Sequence, residues 1–89
     1  MAWRIEYSKD AEKEIAKLDL QIAQRIIRLM GSRVAKLENP RRIGEALAGS
    51  KLGNYWKYRV GDCRIIADIQ DARLCVQVVR LGNRREVYR

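Results

Sequence analysis

The stretch YWKYRVGDCR, residues 55–64, constrains the fold of this chain more than any other. Aromatic and β-branched residues alternate with basic ones on either side of Gly61-Asp62. That dipeptide closes tight primed turns, so the stretch reads as a β-hairpin. Side chains alternate faces along a strand, which puts Lys57 and Arg59 on one face and Trp56, Tyr58 and Val60 on the other. A two-residue loop sets Val60 opposite Cys63, Arg59 opposite Arg64, and Lys57 opposite Ile66. Like charges directly opposite destabilise a sheet by tenths of a kcal/mol up to roughly 1 kcal/mol. The fold gains nothing from clustering Lys57, Arg59 and Arg64, whereas a phosphate-binding surface requires it.

The rest of the chain supplies a partner for the apolar face. Ala2–Tyr7 alternates Trp3, Ile5 and Tyr7 with Arg4 and Glu6, the pattern of a short half-buried strand. Ser8 is a helix N-cap with Asp10 and Glu12 in the first turn, where the helix dipole favours acids. The helix runs from about Lys9 to Leu18 and carries Ala11, Ile15 and Leu18 on one stripe. Asp19 caps a second helix whose apolar period, through Ile22, Ile26, Leu29 or Met30, and Leu37, widened by Ala23, Ile27 and Val34, continues past Gly31-Ser32 to Asn39-Pro40. Residues 40–54 read as a loop in which Glu45-Ala46-Leu47 suits a turn of helix and Leu47 and Leu52 suit anchoring to the core. Two further strands follow, Cys63–Gln70 and Arg73–Leu81, joined by a tight turn at Asp71-Ala72. A two-residue turn there sets Ile69 opposite Leu74, Ala67 opposite Val76, and Ile65 opposite Val78.

These elements predict an α+β fold in the order β-α-α-β-β-β. One domain spans residues 1–89, an N-terminal helical hairpin packed on one face of a small, mainly antiparallel four-stranded sheet. The uncovered face carries Lys57, Arg59, Arg64, Ile66, Asp68, Cys75, Gln77 and Val79, and is expected to open to solvent. Cys63 and Cys75 fall on opposite faces of different strands, so no disulfide is expected.

With 19 Lys and Arg against 11 Asp and Glu, the chain has a formal charge of +8. That balance points to a polyanionic partner, nucleic acid or an acidic protein. Histidine is absent. Any acid–base catalysis therefore falls to Lys, Arg, Tyr or carboxylates, and neither a metal nor a cofactor is expected. No apolar run approaches the ~18 residues of a membrane span and no signal peptide is evident, so the expectation is a cytoplasmic protein without membrane contact. The closing GNRREVYR adds Arg84, Arg85, Arg89 and Tyr88, forks and a stacking ring suited to phosphate and base.

The layout, the W-K-Y-R-V-G-D-x-R hairpin and the closing G-x-R-R-E-V-Y-R resemble the RelE branch of the RelE/ParE toxin superfamily. The resemblance spans essentially the whole chain. It implies the toxin of a type II toxin–antitoxin pair, acting as a metal-independent mRNA endonuclease in the ribosomal A site. It also implies contacts to mRNA and rRNA on the ribosome, an acidic RelB-like antitoxin as partner, and no small-molecule cofactor. The family's site residues carry over to Lys57, Arg59, Arg64, Arg84 and Tyr88, with Lys51, Arg85 and Arg89 as further RNA contacts. Lys57 is then the base or its electrostatic substitute, Arg59 and Arg64 clamp the phosphate, Arg84 stabilises the leaving group, and Tyr88 orients the nucleotide. Asn83 stands where many relatives have histidine. A ParE-like poison of DNA gyrase, a non-catalytic nucleic-acid-binding module, and a degenerate toxin kept for its antitoxin contact are the alternatives.

Overall fold

In a computed structural model of the chain, which describes residues 2–47 and 55–83, the elements follow the expected order with one strand more. Strand β1 (Arg4–Tyr7) leads into helix α1 (Lys9–Ala16) and helix α2 (Leu20–Arg28). A two-residue strand β2 (Glu45–Ala46) precedes β3 (Tyr55–Val60), β4 (Cys63–Gln70) and β5 (Cys75–Asn83). The sheet is therefore five-stranded, not four-stranded, in the order β1-β5-β4-β3-β2. Only the β1–β5 pairing is parallel.

Both helix starts are as the sequence specifies. The Ser8 hydroxyl accepts from the Ala11 N–H, and the Asp19 carboxylate accepts from the Gln21 N–H. The second helix departs from a single α winding. After Arg28 it widens into a π-helical turn, Leu29–Arg33, and tightens into a 3₁₀ turn, Val34–Lys36. Its buried residues explain the change. Ile26, Met30 and Val34 are all fully buried at intervals of four, and α winding rotates such a series by ~40° per step. The wider turn draws Val34 back toward the core. The winding ends at Leu37, two residues short of Asn39, whose side chain instead caps a separate 3₁₀ turn at Pro40–Arg42.

The β3–β4 register is the expected one, with Val60 opposite Cys63, Arg59 opposite Arg64 and Lys57 opposite Ile66. The next connection is not. Asp71–Arg73 form a 3₁₀ turn and Leu74 takes a left-handed conformation at φ 48°, so the loop is longer than two residues. Ile69 consequently faces Val76 and Ala67 faces Val78. A bulge then skips Val79, pairing Ile66 with Arg80 and Ile65 with Leu81 rather than with Val78.

The core gathers Trp3, Ala11, Ile26, Met30, Val34, Tyr58, Ile65, Ala67, Val76, Val78 and Leu81 between the helices and one sheet face. Ile43, not Leu47, packs the loop before β2 against this cluster, while Leu52 lies outside the described residues. Glu45-Ala46 form a strand instead of a helical turn. Cys63 belongs to the core and Cys75 lies on the far face, both free and both buried.

That far face is less open than the pattern implies: Arg64 and Ile66 are only 8% and 7% exposed. β4 sits in mid-sheet, so its residues are flanked on both sides. Ile66 lies between Lys57 and Arg80 of the two neighbouring strands. Around Cys75 the long side chains of Arg4, Glu6 and Arg73 pair with one another and close over the strand.

Candidate nucleic-acid site

The hairpin turns at Gly61, whose φ of +57° in the first central position is conformationally free only for glycine. This fixes Arg59 across from Arg64 with Lys57 on the same face. The three border a cavity of about 270 Å³ completed by Gly44, Glu45 and Tyr58. The pair is asymmetric, for Arg59 is exposed whereas Arg64 is buried. Opposite Arg64 on β5 stands Gly82, which has no side chain to compete for the space.

The far wall of the cavity is the segment 40–46, and aromatic side chains of β3 hold it there. The Tyr58 hydroxyl donates to the Pro40 carbonyl at 2.7 Å, and the Trp56 indole N–H donates to the Ile43 carbonyl at 2.7 Å. Burial pushes the Tyr58 phenol far above its ordinary range, with the Arg41 charge opposing only in part. Tyr58 is thus a neutral structural ring. Arg41 adds a third tether by donating to both Asp71 oxygens, at 3.0 and 2.8 Å, which joins this segment to the β4–β5 connection. That hydrogen bond holds the Asp71 carboxyl below the usual carboxylate range and raises the Arg41 guanidinium.

Held in this way, Glu45 pairs in register with Lys57 and places its carboxylate 3.2 Å from Lys57 Nζ. The cation cluster of the sequence therefore has an acidic member, which sequence reasoning missed. Glu45 is also the one carboxylate lining the cavity among the described residues. An anion able to accept a proton thus stands beside cations able to hold phosphate. Of the residues singled out from the sequence, Lys57, Arg59 and Arg64 come together. Arg84 and Tyr88, with Lys51, Arg85 and Arg89, lie outside the described residues. Among the described residues, no group of His, Cys, Asp and Glu is arranged to hold a metal, and no helix is long and apolar enough to cross a membrane.

A helical hairpin lies on one face of a sheet whose order is β1-β5-β4-β3-β2, with a cationic hairpin on the other, and solved RelE toxins superpose on this fold. The RelBE2 toxin–antitoxin complex of Mycobacterium tuberculosis contains a chain superposable at a TM-score of 0.82, with 20% identity over 97% of this chain and 95% of that one. A double mutant of the E. coli toxin RelE in the free state gives 0.78, with 24% identity over 99% and 92%. The archaeal RelE–RelB complex of Pyrococcus horikoshii gives 0.72, with 21% identity over 97% and 99%. At these identities the likeness is one of fold. The family follows from the sequence: residues 5–88 match the ParE toxin of the type II toxin–antitoxin system, parDE, and the chain belongs to that toxin family. No curated protein is similar at a significant level.

Proposed function

We propose that this toxin is a metal-independent endoribonuclease that cuts mRNA in the ribosomal A site. The observation that carries the reading is the cavity bordered by Lys57, Arg59 and Arg64 with Glu45 at its rim. In the reaction, the 2′-oxygen of one nucleotide attacks the adjacent phosphorus and the P–O5′ bond breaks. A 2′,3′-cyclic phosphate and a 5′-hydroxyl result. Arg59 and Arg64 clamp the phosphate and stabilise its developing charge. Glu45 accepts the 2′-OH proton, and Lys57, held as its counter-charge, stabilises the equatorial oxygens. Arg84 stabilises the charge on the leaving 5′-oxygen, which takes its proton from water, and Tyr88 orients the nucleotide, with Lys51, Arg85 and Arg89 as outer RNA contacts. A site this poor in strong acid–base groups relies on substrate positioning, which the ribosome supplies. An acidic antitoxin is the partner, supported by the +8 charge and by the RelB complexes among the similar structures.

The test is induced expression followed by primer extension on translated mRNA, where codon-phased cuts are expected. Arg64→Ala and Glu45→Gln each lower cleavage on programmed ribosomes by about two to three orders of magnitude. Because Arg64 is buried, its loss also lowers Tm, so Arg59→Ala at an exposed position is the cleaner probe of the clamp. Wild-type activity in Arg59→Ala would remove the clamp from the mechanism. The match to the ParE description favours a second reading, a gyrase poison. Intact mRNA with loss of DNA supercoiling would establish it instead.

A further inference from the structure

A second, larger cavity of about 450 Å³ lies between the end of α2 and the turn end of β3. Arg25, Arg28, Arg33 and Arg59 line it together with Leu29, Ser32, Val60 and Gly61, and no acidic residue does. None of these four arginines makes an ion pair among the described residues, whereas Arg4, Arg41, Arg73 and Arg80 each do. Their convergence depends on the irregular winding of the helix. Arg25 and Arg28 are three apart and share a face. In continuous α winding Arg33 would lie roughly 140° around from Arg28. The π-helical turn at Leu29–Arg33 brings residues five apart closer to one side, and Arg33 joins the groove.

We propose that this groove binds the phosphodiester backbone of an RNA strand as it leaves the candidate site. Arg25, Arg28 and Arg33 hold phosphates that flank the one undergoing reaction. The inference rests on the RNA-cleaving reading of the hairpin cavity and extends it. Continuity supports it, because Arg59 borders both cavities and a third pocket of about 260 Å³ between them, lined in part by Arg33, Gly44 and Tyr58. The path so formed is a run of guanidiniums, forks that match phosphate oxygens in pairs. An acidic protein segment would seek apolar anchors as well. Leu29 and Val60 are the apolar part of the lining, with Leu29 half-buried and Val60 buried, and the exposed apolar residues of α2, Leu20 and Ile27, lie outside the groove.

The experiment measures anisotropy of a labelled 2′-O-methyl oligoribonucleotide, which lacks the attacking hydroxyl and stays intact, over a salt series. The variant is the triple Arg25→Gln, Arg28→Gln, Arg33→Gln. Its control is Lys9→Gln, Lys13→Gln, Lys17→Gln, which removes equal charge from exposed positions on and just after α1. The arginine triple weakens RNA binding at least about tenfold and flattens the log–log salt slope by about 2, near 0.7 for each lost phosphate contact. The lysine triple stays within about twofold of wild type. Equal losses in both triples, or unchanged RNA affinity with weaker binding of the acidic antitoxin, would overturn the proposal. Failure of the groove is separable from failure of the cleavage reading. In the first case the arginine triple binds RNA as wild type does, while Arg59→Ala still abolishes cutting. In the second the triple loses RNA although the wild-type toxin cuts nothing.

Discussion

Gly44 is the position where the site leaves no room for choice. Its φ of +80° lies in the left-handed region, and a Cβ there would press into the Lys57 carbonyl oxygen and lie 2.7 Å from the Trp56 indole nitrogen. Gly44→Ala is expected to cost about 1–3 kcal/mol, combining backbone strain with displacement of the segment that carries Glu45. For a chain of this size that lowers Tm by several degrees, roughly 4–8 °C per kcal/mol. An unchanged melting curve by circular dichroism would refute it. The same position shows why Glu45 was not legible in the sequence. Glu-Ala-Leu has good helix propensity, and only the tethers from Trp56 and Tyr58 to residues 40–43 pull it into a strand. Lys57, Arg59 and Arg64 were legible, because alternation about a two-residue Gly-Asp loop leaves one register.

Among the elements, the connection between β4 and β5 misled where the hairpin did not. Asp71-Ala72 resembles a two-residue turn, yet Leu74 adopts φ 48°, a conformation that leucine gives no sign of. The reward for this geometry is the bidentate contact between Asp71 and Arg41, which braces the wall of the site. Its pH dependence has a definite sign. The Asp71 carboxyl is lowered in the folded state, so its contribution is fully present above the unfolded value of about 3.9 and is lost as pH falls through the lower folded value. Asp71→Asn is therefore less stable than wild type at pH 7, by a small margin since Asp71 is largely exposed. The two Tm curves converge in the acid range below the ordinary carboxylate value. A gap that persists unchanged there would show that the contact acts through something other than charge. The arginine groove on α2 left a trace in the sequence, the three-residue spacing of Arg25 and Arg28. Arg33 left none, because the π-helical turn that recruits it follows from core packing.

At the scale of the molecule, the α+β class, the element order and the core face followed from hydrophobic period together with cap and turn residues, while the fifth strand and the covered far face did not. A two-residue strand is too short to carry a period. The burial of Arg64 and Ile66 reflects their central place in the sheet, which no local pattern encodes. Burial also pushes both cysteine thiols up from their ordinary range. Their reaction with a disulfide reagent at pH 8 is expected to be at least about a hundredfold slower in the native protein than in urea. It should accelerate only at the urea concentrations that unfold the whole chain. Fast labelling of either thiol in the native state would reveal a sheet that opens locally.

The skipped residue in β5 has a consequence of a different kind. Val76 and Val78 point into the core at an even spacing, but Leu81, fully buried as well, follows at an odd one. Val79 acts as a phase shift in the strand, much as an inserted nucleotide shifts a reading frame. Substituting Val79 leaves the phase alone, because any side chain there still occupies one step of backbone. Pairing the strand without the bulge would carry Leu81 out of the core and turn Arg80 inward, whereas deleting Val79 removes the surplus step and keeps both on their present sides. At this position, therefore, the setting aside of one surplus residue, and not that residue's chemistry, decides which side of the sheet the residues beyond it are dealt to.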